Sequence, residues 1–557
     1  MKVEPELVLP AKDIKQVELF NHQKDAYEKF KDKDSFALFF EMGCGKTITS
    51  LYLAWDKYKK GLIDSLLVIA PNGVHVQWFR DILHPAVSAG KVFDEPVWVQ
   101  CVGGNEGQTR LYPFEKDSYF KIVTVNIDTF STKNKWESIV AWANANKTMI
   151  ILDEATVIKN PSSIRSQRLL YEFNNVFKRG RAILSSQKKF PYRAVLTGTP
   201  VTNGVQDVWA IIEFISPGFF HMNYKSFCDY FSMYTTMTVS TGYNVKNIPV
   251  LLTEKSWNLI KSAENFTEAM YLTGCSEDTY LTVKHQNKFV GPYKHAEQLK
   301  DMLEPISVFA KLVDCHDMPE QVYETRYTGL NTEQETAYKQ MKRDLLASYD
   351  GYSMTAMNKL VAQVRLQQIS SGFMIARKDF TLTDFDSYVN SPDTYDVLPD
   401  EVVWLGDKIP RLEALMQDIN NLDKPLLVLT RYSAEAEKIY NLCIEAGYKT
   451  GLFTGWKVIG GIDDFKEGKL DILVANSSKI ARGFNLQNAH TTLFYTNSFS
   501  METRQQAEFR TFRIGQKHSC LYIDYVSSPS DEIINQALVM KKSLLDFIRD
   551  KDIKECI

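Results

Sequence analysis

The chain has 557 residues, 44% of them hydrophobic and 24% charged, a composition of soluble globular protein spread over a length too great for one hydrophobic core. Its formal net charge of −3 supplies no global field for a polyanion, so any nucleic-acid surface has to be local. No run approaches the ~18 apolar residues that span a bilayer, residues 1–10 lack a signal-peptide pattern, and the eight cysteines include no C-x-x-C pair; these features argue against membrane insertion, secretion, a disulfide framework and a structural zinc site. The expectation is an intracellular, soluble protein, in the cytoplasm or nucleoid if its source is bacterial or viral.

In chain order, short β-rich apolar runs at 36–40, 66–70, 122–125, 149–152 and 194–197 alternate with helical patterns, as in a parallel, doubly wound sheet. Between 217 and 406 strand-like runs thin out and helix-like segments appear at 332–347 and 357–369, while 379–401 has the Asp, Ser, Pro and Thr content of an exposed loop. A second strand series follows at 426–429, 472–475, 492–495 and 521–525. The expected fold class is therefore α/β, with two lobes separated by helical insertions. The divisions are 1–216 for the first lobe, 217–330 for a helical protrusion and linker, 331–406 for a second helical insertion with its loop, and 407–557 for the second lobe. The basic clusters at 57–60, 187–189 and 541–542 read as solvated faces.

Three strings carry chemistry. Glu41-Met42-Gly43-Cys44-Gly45-Lys46-Thr47 follows the first strand-like run and opens a helical pattern over 47–58, so its backbone N–H groups are placed to wrap phosphate oxygens, with Lys46 for the β/γ-phosphates and the Thr47 hydroxyl for Mg²⁺. The strict pattern has glycine where this chain has Phe40, which leaves the loop's freedom to Gly43 and Gly45. Asp153 and Glu154 end the apolar run 149–152, at the carboxyl edge where α/β sheets bind ligands. Asp153 suits a water-mediated hold on Mg²⁺, and Glu154 suits positioning and polarising the attacking water. Finally, Gln506, Arg510 and Arg513 fall on an expected helix starting near Met501, with the two arginines one turn apart and able to meet developing phosphoryl charge.

The order and wording of these motifs resemble the Swi/Snf-type ATPases of helicase superfamily two, the group that includes chromatin remodellers and annealing helicases. Leu19-Phe20-Asn21-His22-Gln23 is similar to the adenine-reading Q motif, and Leu67-Val68-Ile69-Ala70-Pro71 with Trp78 is similar to motif Ia. Asp153-Glu154-Ala155-Thr156-Val157-Ile158-Lys159-Asn160 resembles extended motif II, Leu196-Thr197-Gly198-Thr199-Pro200-Val201-Thr202-Asn203 motif III, and Arg513-Ile514-Gly515-Gln516 closes motif VI. The resemblance implies two RecA-like lobes, ATP and Mg²⁺ as cofactors, adenine reading by Gln23, and a phosphate site of Gly43, Cys44, Gly45, Lys46 and Thr47. It further implies coupling of hydrolysis to DNA through Thr197, Thr199 and Gly483, and completion of the γ-phosphate site by Gln506, Arg510 and Arg513. Thr156 departs from the family's usual His, and Arg482-Gly483-Phe484-Asn485-Leu486 keeps one glycine of the usual motif V pair.

By the same resemblance the partner is DNA, duplex rather than single-stranded, gripped by its phosphate backbone, with little sequence preference. Pro71, Asn72, Asn126, Arg431, Thr454 and Asn485 are the expected contacts, and Trp456 either stacks on a base or packs, with packing the favoured reading. The implied activity is an ATP-dependent DNA translocase, a minimal motor with remodelling, annealing or branch migration as outcomes. Two alternatives stay open: a nucleotide-gated DNA-binding module without productive hydrolysis, and the motor subunit of a restriction or defence complex.

Overall fold

The structure is a computed structural model that describes residues 6–8, 18–83, 92–104, 111, 119–132, 135–172, 177–178, 181–182, 190–202, 204–241, 244–252, 254–286, 293–356, 359–378, 401–480 and 484–549. The chain divides into two compact units, Met1–His316 with Met540–Ile557, and Asp317–Val539.

Unit 1 is built on an eight-stranded sheet. Its strands are β1 (Glu6–Val8), β2 (Ser35–Phe40), β3 (Ser65–Ala70), β4 (Val97–Val102), β5 (Phe120–Asn126), β6 (Thr148–Asp153), β7 (Arg193–Leu196) and β8 (Ser307–Ala310), in the spatial order β1-β4-β5-β3-β6-β7-β2-β8. Only β1 runs antiparallel to its neighbour. Buried on both faces, the parallel strands read as continuous apolar runs, as in Leu66, Leu67, Val68 and Ile69 of β3. The parallel register aligns their carboxyl ends, Ala70 opposite Asn126 and Asp153 opposite Leu196, so the loops after β2, β3, β5, β6 and β7 all open on one edge. Helices α1 (Asn21–Phe30), α2 (Lys46–Lys59) and α3 (Val74–Leu83) accompany this sheet.

Unit 2 has a seven-stranded sheet of β9 (Gln321–Tyr327), β10 (Leu426–Thr430), β11 (Thr450–Phe453), β12 (Val458–Ile459), β13 (Ile472–Asn476), β14 (Thr491–Phe494) and β15 (Cys520–Val526), ordered β9-β15-β14-β10-β13-β11-β12. All its pairings are parallel except β11 with β12. Two α/β lobes with parallel sheets are thus present, and all nine strand-like runs read from the sequence overlap strands.

The insertions carry helices, but not only helices. The hairpin Tyr234–Thr241 with Asn244–Leu251 stands in the first, and the second pairs helices Thr332–Asp344 and Lys359–Ser371 with antiparallel strands Leu346–Tyr349, Tyr352–Thr355, Phe373–Lys378 and Glu401–Trp404. The expected helix over 332–347 therefore stops at Asp344, where Leu345 turns left-handed with φ 57° and the chain enters a strand. In the same unit, buried Arg411 forms an ion pair with Asp531 and donates to Ser527 Oγ and the Tyr495 carbonyl.

Of the basic clusters, 187–189 lies outside the described residues. Lys57 is not a solvated charge: it is 1% exposed, with Nζ capping the carbonyls of Lys31 and Lys33 at 3.2 and 2.7 Å.

Candidate nucleotide site

The phosphate loop occupies the five residues between the end of β2 at Phe40 and the start of α2 at Lys46. Gly43 and Gly45 take φ of 92° and 78°, the left-handed region, and a Cβ at Gly45 would stand 2.1 Å from Gln23 Nε2. Phe40, where the strict motif has glycine, is the fully buried last residue of the strand; the left-handed turns fall further on. Lys46 points back into the loop, with Nζ donating to the carbonyls of Phe40 at 3.0 Å and Glu41 at 3.4 Å.

A layer of side chains braces the loop from behind. Gln23 is buried; its Nε2 donates to the Cys44 carbonyl at 3.1 Å while its Oε1 accepts the Phe20 N–H at 3.0 Å. His22 Nε2 lies 2.8 Å from the same Cys44 carbonyl. Glu41 accepts the Leu312 N–H at 2.9 Å, and the Cys44 thiol faces the Ala310 carbonyl at 3.8 Å and shares a hydrogen bond with the free Cys315 thiol. That bond and burial push the Cys44 thiol up, whereas the bonds from Cys44 and then His22 hold Cys315 well below the usual thiol range.

Asp153 ends β6 on the same sheet edge, buried, with Oδ2 accepting the Trp78 indole N–H at 2.7 Å and Oδ1 the Glu154 N–H at 2.9 Å. Burial raises its carboxyl above the ordinary value, while Lys46 and the two N–H donors oppose that rise by favouring the charged form. Glu154, a non-glycine residue, sits at φ 48°, and a left-handed backbone there costs roughly 1–2 kcal/mol. Strain of this kind gathers at functional sites.

Beyond β7, Thr197 is fully buried and its Oγ1 accepts the Thr199 N–H at 3.1 Å. A relay unannounced by the sequence links motifs II and III: Lys159 Nζ donates to Thr202 Oγ1 at 2.7 Å, and Thr202 donates in turn to Asp207 Oδ2 at 2.7 Å. Gly483 lies outside the described residues.

The expected DNA contacts divide by exposure. In unit 1, Pro71 and Asn72 sit at the carboxyl edge with Asn72 exposed, but Asn126 is buried, donating to Asn72 Oδ1 at 3.4 Å and accepting the Asp128 N–H. In unit 2, Asn485 is exposed, Arg431 is half-buried against Gln367 Oε1, and Thr454 is 4% exposed and bonded to Lys457. Trp456 is not packed, being 83% exposed, which overturns the packing reading.

Arg510 and Arg513 are not helical neighbours. Helix α4 (Met501–Glu508) ends before them, and tight turns carry both to the Phe484 carbonyl, with Nη1 at 3.3 and 3.4 Å. Burial lowers the Arg513 guanidinium. Gln506 stays on α4 and donates to Glu502 at 3.4 Å. The helix is anchored beneath by Arg504, which pairs with Glu508 at 2.6 Å and with Asp524, above the Phe494 ring.

Among the described residues no group of three or more His, Cys, Asp or Glu forms a cage for a metal ion, and no helix is long and apolar enough to cross a membrane. A hard cation shared between one carboxylate, a threonine hydroxyl and substrate phosphates needs no such cage, and Asp153 with Thr47 supplies the oxygen donors that Mg²⁺ prefers.

The model of the SNF2-related domain matches residues 15–375, and that of the helicase conserved C-terminal domain residues 407–515. The chain belongs to the SNF2-related family, the Swi/Snf-type ATPases of helicase superfamily two. This SNF2-related chain is 30% identical over 200 residues to the chromatin-remodeling ATPase INO80 of Arabidopsis thaliana, a match covering 34% of the chain and 11% of that relative. It is 22% identical over 512 residues to the ISWI chromatin-remodeling complex ATPase ISW1 of Saccharomyces cerevisiae, covering 90% of the chain and 37% of the yeast protein. The match thus spans about a tenth to a third of the length of these curated relatives. The solved Sulfolobus solfataricus SWI2/SNF2 ATPase core in complex with dsDNA aligns over 96% of this chain and 94% of its own, at 18% identity and a TM-score of 0.35.

Proposed function

We propose that this ATPase couples ATP hydrolysis to movement along duplex DNA. The observation that carries the reading is the convergence, on one sheet edge of unit 1, of a glycine-turned phosphate loop with Lys46 and of the Asp153–Glu154 pair, in a chain of the SNF2-related family. ATP seats its phosphates on the loop N–H groups, with Lys46 exchanging its bonds to Phe40 and Glu41 for phosphate oxygens. Asp153 and Thr47 hold Mg²⁺, which neutralises phosphate charge when bound. Glu154 orients the attacking water. Gln23 first braces the loop, and reading adenine requires it to exchange its bond to Cys44. Arg510, Arg513 and Gln506 are assigned to the developing γ-phosphoryl charge. Thr197 and Thr199 are assigned to couple hydrolysis to DNA, while Pro71, Asn72, Arg431 and Asn485 are assigned to the phosphate backbone.

The test is steady-state ATP hydrolysis by the purified chain with no polymer, with single-stranded DNA, with duplex DNA and with RNA, beside a Glu154→Gln control. Stimulation by duplex above the other polymers, abolished in the control, is the expected result. Stimulation by single strands alone would replace duplex tracking with strand separation. No stimulation and an unaffected control would favour a nucleotide-gated binding module.

A further inference from the structure

We infer that Trp456 is a stacking platform for an unpaired nucleobase, which makes this chain recognise DNA in which duplex meets single strand. The inference rests on the DNA-motor reading and adds to it the form of DNA preferred.

Of the nine tryptophans, all among the described residues, Trp456 alone is exposed, at 83%, whereas Trp55, Trp78, Trp98, Trp209 and Trp257 are each below 10%. An indole left in water costs hydrophobic free energy that a packed one does not. The segment bearing it is fixed rather than loose. Strands β11 and β12 pair Leu452 with Ile459 and Phe453 with Val458, and across the tip Thr454 Oγ1 accepts the Lys457 N–H at 3.0 Å and donates to its carbonyl at 3.1 Å. A rigid tip presents the ring with little ordering cost on contact.

Its surroundings are cationic. Lys457 follows it directly and meets Glu437 only across 3.8 Å in an exposed pair, which is worth little in water. On the other side, Lys479 Nζ lies 3.8 Å from where a Gly455 Cβ would stand. The tip also follows the carboxyl end of β11, the sheet edge where Arg431 follows β10 and Ser477–Ile480 follows β13. An exposed indole with Lys457 next to it in the chain and Lys479 beside Gly455 matches the needs of a base and its neighbouring phosphate. Bases within an intact duplex are stacked on each other and offer no free face, so the indole finds a partner only at forks, gaps, bubbles and ends.

The experiment compares Trp456→Ala and Trp456→Phe with the parent chain, each first shown to melt at the parent's temperature. Affinity is measured by fluorescence anisotropy for a blunt duplex and for the same duplex carrying two unpaired arms. Stacking is worth about 1–3 kcal/mol per base, so Trp456→Ala should weaken fork binding by roughly 5- to 150-fold. Blunt-duplex affinity should change less than about twofold, and Trp456→Phe should keep most of the fork affinity. A 2-aminopurine in the arm beside the junction should be quenched by the parent chain and not by Trp456→Ala. Equal loss on both DNAs, or no loss on either, overturns the platform while leaving the DNA-motor reading intact. If the parent chain binds neither DNA and neither stimulates hydrolysis, the motor reading itself falls.

Discussion

Asp153 is a buried carboxylate stabilised by the Trp78 indole N–H at 2.7 Å and the Glu154 N–H. Trp78→Phe keeps a smaller aromatic ring and deletes one donor, leaving Oδ2 with a lost charge-assisted hydrogen bond worth about 1.5–3 kcal/mol. The expected outcome is a folded protein whose ATP turnover is reduced and needs more Mg²⁺ to saturate, read from hydrolysis rates across a Mg²⁺ series. Asp153 itself was legible from its place after an apolar run, but its partner was not. Trp78 is 75 residues away in sequence, and nothing local in the residues around it announces which carboxylate its N–H will meet. The thiols give a second residue-scale prediction. Cys315 and Cys228 are both half-buried, but the Cys44 and His22 bonds lower the first thiol while burial raises the second. A lowered pKa means a larger thiolate fraction at neutral pH, so iodoacetamide at pH 7 should modify Cys315 before Cys228. The ratio should shrink toward pH 9 as the slower thiol ionises, measured by peptide mass spectrometry.

At the scale of elements, α4 shows what holds the arginine segment. Arg504 is 7% exposed, paired with Glu508 and Asp524, and Tyr323 donates to Glu508 at 3.0 Å. Arg504→Met removes the charge and leaves buried Glu508 and half-buried Asp524 without their cation, which costs up to about 3–5 kcal/mol, the scale of a broken buried pair. The expected readout is a large drop in the urea midpoint, partly recovered when Asp524→Asn is added, because the second change removes one of the stranded charges. Strands were the more legible elements: apolar runs such as 66–70 and 472–475 lie in buried parallel sheets, where no polar alternation dilutes the signal. The sequence reading passed over Val97–Val102 and Thr450–Phe453, the first interrupted by Gln100 and the second opened by Thr450 and Gly451. The spacing of Arg510 and Arg513 suggested a helix because three residues make one turn, but tertiary bonds won. Leu486 N–H takes the Arg510 carbonyl at 2.9 Å, and both guanidiniums converge on Phe484 without helical geometry.

For the whole molecule, the roles proposed above assign binding to residues of unit 1 and turnover to residues of unit 2. The loop, Lys46, Asp153 and Glu154 belong to unit 1, and Arg510 and Arg513 to unit 2. On the proposed reading, ground-state affinity for ATP resides in the first set, because its loop N–H groups and Lys46 meet the phosphates already bound. The arginines act chiefly on charge that appears as the γ-phosphoryl group departs, and an interaction made only in the transition state lowers kcat without weakening binding. Lys46→Ala should therefore abolish measurable nucleotide binding, followed with a fluorescent ATP analogue, and hydrolysis with it. Arg513→Ala should bind the same analogue within about threefold of the parent chain while turnover falls by ~10³-fold or more, the scale of an arginine finger. Should Arg513→Ala instead lose binding in proportion to turnover, the arginine holds the fold around Phe484, and the transition-state role passes to Arg510 or is absent from unit 2. Retained polymer-stimulated hydrolysis in Lys46→Ala would remove the phosphate loop from the reaction altogether.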